Sequence, residues 1–223
     1  MKKVKQISDS ILLGIILAVV GGFLDAYTYL IRGGVFANAQ TGNIVLMGVN
    51  LAQGNYSEVV HYLVPILAFA FGILIAELIK SKLKSNVSVH WRQIIVIIEL
   101  IFLFACSFID SGVGNALVNT VISFVCALQV EGFRAVEGNA AATTMCTGNL
   151  RSGTEQLFLA MKFKDKQHFK KAIVYYAIIA AFVFGAVMGA LIINFLGVKA
   201  ILVACALLLI SFILMFKRKS NSL

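Results

Sequence analysis

The chain has 223 residues, 60% of them hydrophobic and only 13% charged, with a single proline and a mean hydropathy of +0.93. A soluble domain of this length carries about a quarter charged residues, so water is excluded as the main solvent of this fold. The net charge of +9 does not point to nucleic acid either, because the cations sit in short loops and at the two ends rather than in a basic stripe interleaved with aromatics.

The N-terminal MKKVKQ ahead of an apolar run resembles a signal sequence. No small-residue cleavage site follows it and further spans do, so a retained first helix is expected. Runs such as 11–24, 94–109 and 200–216 approach the ~20 residues a helix needs to cross a ~30 Å hydrocarbon layer. Segments 11–31, 61–80, 93–110, 115–133, 170–195 and 198–216 are apolar enough to span. Two more, 33–54 and 138–160, are long enough but polar, the first carrying Asn38, Gln40, Thr41, Gly42 and Asn43, the second Thr143, Thr144, Thr147, Asn149 and Arg151. Such stretches are tolerated at membrane depth only where protein shields them or a watery cavity faces them.

Charge decides between six crossings and eight. With the N-terminus inside and six crossings, only Arg32 and Lys199 of the 19 Lys and Arg residues fall outside. Full crossing by both polar segments would move Lys80, Lys82, Lys84 and Arg92 outside. It would also place Arg151 within a span, at about 2.5–3.5 kcal/mol. The positive-inside bias therefore predicts six transmembrane helices, both termini in the cytoplasm, and two re-entrant or otherwise broken polar segments.

The chain also repeats itself. Thr41-Gly42-Asn43 recurs 106 positions on as Thr147-Gly148-Asn149, and the same offset carries Asp25 onto Glu131 and Tyr27 onto Phe133. FAFGILIAELI at 69–79 matches FVFGAVMGALI at 182–192. The expected fold is all-α and polytopic, with repeats over 1–112 and 113–223, each holding three spans and one TGN segment. An odd number of spans inverts the second repeat relative to the first, an arrangement recurrent in secondary transporters. The first TGN segment would then enter from outside and the second from inside.

The chemistry follows from residue types. Gly42 and Gly148 loosen a helix and admit close approach, while Thr and Asn oxygens accept from free amides at helix starts. A half-helix N-terminus in a membrane suits an anionic or carbonyl-bearing ligand. Oxygens of Thr41, Asn43, Thr147 and Asn149 could equally hold a hard cation. The motif specifies a polar site but not its sign, and it can also do no more than turn the chain and satisfy its own backbone. Asp25 and Glu131 are costly within a span unless paired, protonated or hydrated. They read either as proton- or cation-coupling groups or as interfacial acids beside Arg32 and Arg134. Glu77 and Glu99 fall near inner span ends and are expected at the interface, and Arg151 reads as a topology anchor.

Gly185 and Gly189 form GxxxG, matched by Gly72 and Ala76, which predicts close helix packing and offers a face for a homodimer. Cys106, Cys126, Cys146 and Cys205 show no metal or redox spacing and read as packing residues. His61, His90 and His168 form no ligand array, and no nucleophile motif is present, so neither enzyme chemistry nor a cofactor or metal is expected.

The stretch GGFLDAYTYLIRGGVFANAQTGNIV at 21–45 resembles the YoaK-like family of bacterial membrane proteins, and the likeness extends through the second TGN. It implies a bacterial cytoplasmic-membrane protein of about six helices and supplies no substrate or catalytic residues. The residues themselves favour a small transporter or channel for a small polar solute or ion, with proton coupling an open option. Its pathway would be lined by Asp25, Thr41, Gly42, Asn43, Glu131, Thr147, Gly148 and Asn149. The alternative is a membrane scaffold or sensor that moves nothing.

Overall fold

The computed structural model of the chain describes residues 10–83 and 91–216. The 84–90 connection, with Lys84 and His90, and the terminal lysines and arginine that anchor the expected orientation lie outside the described residues.

The described residues form eight α-helices: α1 (Ile11–Ile31), α2 (Gln40–Ala52), α3 (Tyr56–Leu83), α4 (Trp91–Cys106), α5 (Asn115–Gly132), α6 (Cys146–Phe163), α7 (Lys166–Leu196) and α8 (Ile201–Phe216). Ser10 starts α1 by accepting the Leu13 amide at 3.3 Å, and Asp165 starts α7 by accepting from Gln167 at 2.7 Å. Both satisfy amides that a first helical turn leaves free. The 21 residues of α1 rise about 31 Å, close to the hydrocarbon thickness.

Four helical stretches are long and apolar enough to cross a membrane: Ile11–Ile31, Tyr56–Leu83, Asn115–Gly132 and the continuous Lys166–Phe216. The last contains 51 residues, more than twice the length one crossing needs. It is broken at Gly197, whose φ of +52° few other residues adopt, with a 3-10 turn over Gly197–Ala200 leading into α8. The chain is thus an all-helical, polytopic membrane protein. The polar segment at 33–54 contains α2, and α6 begins within that at 138–160 and runs on to Phe163. At 13 residues, α2 rises only about 20 Å, too little to cross.

The burial pattern orders the helices. About two thirds of the apolar window of α1 and of α5 is buried, against 28% for α3 and a third for α7–α8. So α1 and α5 form the centre, with α7 packed along α1 and α3 along α5. Glycine sets both contacts. A methyl added at Gly185 would lie 2.0 Å from the Val19 carbonyl oxygen, and one at Gly72 would lie 2.4 Å from that of Phe124. Without a hydrophobic drive between helices in lipid, such backbone contact is a main source of association. α4 packs on α5 and α8 on α1, and these two short helices meet each other.

The two ends of the bundle are held differently. At one end Arg32, fully buried, donates to the carbonyls of Ile109 (2.7 Å) and Asp110 (3.0 Å), to Asn115 Oδ1 and to the Tyr27 hydroxyl. Lys199 Nζ donates to the Ser107 carbonyl in the same turn at 2.8 Å. The two cations that charge counting sets apart therefore clamp one connection, between α4 and α5. At the other end Glu77, Lys80, Glu131 and Arg134 form an ion-pair cluster joining α3 to α5.

Candidate functional site

The site is built around the middle of α1. Asp25 is buried there, six residues before the helix ends. Gly33 and Gly34, with φ of +95° and +78°, turn the chain back along α1, a path that favours glycine. The returning strand of loop brings the Asn38 amide to 2.6 Å from Asp25 Oδ1, with the Ala37 and Ala39 amides beside it. Asn38 Nδ2 donates to the Gly21 carbonyl at 3.2 Å. These residues lead directly into α2, whose first turn has no side-chain cap. The Asp25 carboxyl thus occupies the place where a helix N-terminus favours negative charge. Of the two ligand signs that the sequence leaves open, the negative one is here supplied first by the protein's own Asp25.

The second polar segment arrives at the same place. Thr144, just before α6, packs against Gly21, where an added methyl would fall 2.3 Å from Thr144 Cγ2. Cys146, the first residue of α6, is close enough to interact electrostatically with Asp25, and α6 likewise lacks a side-chain cap. Cys126 of α5 adjoins Asp25 and Asn38 from a third side. The loops entering α2 and α6 therefore converge on Gly21–Asp25. Asn38 Oδ1 and the hydroxyls of Thr143 and Thr144 are buried with no hydrogen-bond partner among the described residues. Buried polar atoms are usually paired, and unpaired ones carry a desolvation cost of about 1–3 kcal/mol each. Those of Asn38 and Thr144, which lie along Gly21–Asp25, are suited to taking up a small polar ligand.

The remaining expected site residues are distributed around this centre. Asn43 is fully buried; its Nδ2 donates to the Phe36 carbonyl at 2.7 Å and its Oδ1 accepts the Phe36 amide at 2.9 Å. Asn149 is buried and donates to the Ala142 carbonyl at 2.7 Å. Each asparagine ties down the backbone seven residues upstream, holding the loop against its helix. Thr41, Thr147 and Gly148 are exposed on the outer sides of α2 and α6, and Gly42 lies under the Phe36 ring. Glu131 accepts from Lys80 Nζ at 3.3 Å and Arg134 Nη1 at 3.2 Å, about 7.5 Å along α5 from Cys126 at 1.5 Å per residue. Asp25 and Glu131 thus have different surroundings despite their matching places in sequence. The Glu131–Arg134 pairing expected from spacing is present. Arg32 instead turns away from Asp25, to Tyr27 and the α4–α5 turn.

Sequence reasoning passed over Asn38, Thr144 and Cys126 as site members, and it assigned Glu99 to the interface. Glu99 is fully buried in α4 and neither carboxyl oxygen has a hydrogen-bond partner among the described residues. Its setting in IIVIIELIFLF, apolar on both sides for a full turn or more, was the available signal.

The chain is 28% identical over 155 residues, covering 68% of its length and 69% of the relative's, to UPF0700 transmembrane protein YoaK from Bacillus subtilis (strain 168). No solved structure matches. Residues 13–214 match the family described as protein of unknown function (DUF1275), and the chain belongs to that family.

Proposed function

We propose that the chain is a small transporter or channel of the bacterial cytoplasmic membrane, moving a small polar solute or ion, and that protons take part through Asp25. The observation that carries this reading is the convergence of two broken segments on one buried carboxyl, with unpaired polar atoms of Asn38 and Thr144 on the same stretch of α1. Irregular backbone at membrane depth, opposed helix N-termini and an intramembrane acid are together the features of a solute site between repeats.

The inverted duplication over 1–112 and 113–223 belongs to the same proposal. Supporting it, the Asn43–Phe36 and Asn149–Ala142 contacts share one spacing and one length. The α1–α7 contact at Gly185 also matches the α5–α3 contact at Gly72. Swapping the halves exchanges one member of each pair for the other. On this reading six helices cross, α2 and α6 do not, and both termini are cytoplasmic.

The test is a flux assay on the full chain in phosphatidylethanolamine–phosphatidylglycerol vesicles. A panel of small sugars, amino acids, carboxylates and monovalent ions would be applied with and without an imposed proton gradient. Protein-dependent flux of one class is expected. A silent panel under every gradient contradicts the reading and favours a scaffold or sensor.

A further inference from the structure

We propose that Glu99 is a second proton-binding site within the membrane, separate from Asp25, and that its proton exchanges during the working cycle. This rests on the transport reading above and deepens it, because that reading places protons at Asp25 alone.

Glu99 lies midway along α4, where α4 meets α5 and α8. It is wholly buried, and no donor among the described residues reaches either oxygen. An ionised carboxylate so placed would lack both hydration and a counter-charge, a state costing far more than protonation. The group is therefore held as a carboxylic acid in this conformation. Cys126 of α5 and Cys205 of α8 are within electrostatic range of it. Cys106 of α4 itself is within electrostatic range of Cys205. From α3, Lys80 lies over the Trp91 ring, about 12 Å along α4 from Glu99 at 1.5 Å per residue.

Cys126 is the link to the first site, since it is within electrostatic range of both Asp25 and Glu99. The two acids thus share one neighbour on α5, Cys126, one being reached from the broken segments and the other lying on α4. A purely structural role is poorly served by an acid here, because a leucine would fill the space without the desolvation cost. An acid with no partner in one conformation requires another in which it meets water or a donor. Exchange is then simple: the Glu99 O–H bond breaks, water accepts the proton, and the carboxylate remains until the proton returns.

Infrared difference spectroscopy of the full chain in the same vesicles tests this directly. As pH is raised from mildly acidic to alkaline, a carboxylic-acid C=O band should be lost reversibly. It should shift on selective ¹³C labelling of glutamate carboxyls, vanish in Glu99→Gln and persist in Asp25→Asn. The isotope label assigns the band to glutamate, and its persistence in Glu131→Gln, the other buried glutamate, assigns it to Glu99 even if Glu99→Gln fails to fold; its loss in Glu131→Gln overturns the proposal. No glutamate acid band, or one unchanged into alkaline solution, overturns the proposal. A titrating band alongside a silent flux panel retains the proton site and removes the transport reading; solute flux with no titrating band does the reverse.

Discussion

Asp25 and Asn38 are joined by a 2.6 Å hydrogen bond from the Asn38 amide to the Asp25 carboxylate oxygen, which pins the entrance of α2 against the middle of α1. The bond is made by backbone, so Asn38→Ala leaves it intact and removes the Nδ2 contact to Gly21, the side-chain contacts to Asp25 and Cys126, and the unpaired Oδ1. Loss of one such hydrogen bond costs about 1 kcal/mol. Asn38→Ala should therefore lower the midpoint of thermal unfolding in detergent only modestly, while flux falls far more. Equal proportional losses in both would assign Asn38 to structure alone.

The two asparagine clamps should behave as structural elements, with Asn43, which holds both the amide and the carbonyl of Phe36, the heavier. Asn43→Ala and Asn149→Ala each strand a buried backbone group, at about 1–3 kcal/mol. The clamps share no partner, so the double variant should show the sum of the single losses. Chemical unfolding of the reconstituted chain measures this, and strong non-additivity would mean that the clamps are coupled.

Gly148 and Gly185 should respond oppositely to alanine. Nothing lies within 4 Å of a methyl placed at Gly148, whereas one at Gly185 meets the Val19 backbone. Gly148→Ala should be neutral or stabilising by up to about 1 kcal/mol through helix propensity. Gly185→Ala should disrupt the α1–α7 contact and sharply reduce the yield of folded protein. Comparing folded yields by size-exclusion chromatography decides it.

Arg32→Lys tests the clamp at the α4–α5 connection. Lysine retains the charge but cannot present the guanidinium fork to Tyr27, Ile109, Asp110 and Asn115 at once. A loss of about 2–4 kcal/mol is expected, from stranded carbonyls and an incompletely paired buried cation. Thermal unfolding in detergent provides the measure, and a variant as stable as the parent would show that the clamp contributes little.

The helices were legible in the sequence because hydrocarbon thickness imposes long apolar runs, and α1 matches its expected bounds of 11–31. The polar segments were also legible as exceptions to that rule. Their interior was less so. TGN drew the eye to Thr41 and Thr147, yet both start a helix with their side chains on its outer face, and the asparagine one turn in does the holding. The Asp25–Asn38 bond depends on two successive left-handed glycines folding the loop back, which composition does not specify. Glu99 was misplaced because a span drawn over 93–110 puts it near an end. The helix starts at Trp91 and stops at Cys106, which puts it in the middle.

Orientation can be read by labelling. Val113, fully exposed in the α4–α5 connection, should react as Val113→Cys with an impermeant maleimide from outside intact cells. Lys164→Cys, between α6 and α7, should react only after the membrane is opened. The reverse pattern would invert the proposed topology.

The most direct test of the central claim compares the wild-type chain with Asp25→Asn in vesicles, measuring gradient-driven uptake of whichever panel solute moves. The substitution preserves the shape of the side chain and an acceptor for the Asn38 amide but cannot release a proton. Proton-driven uptake should be lost while the folded yield is unchanged. Uptake in Asp25→Asn equal to wild type, with the same dependence on pH, would contradict a role for this carboxyl in coupling.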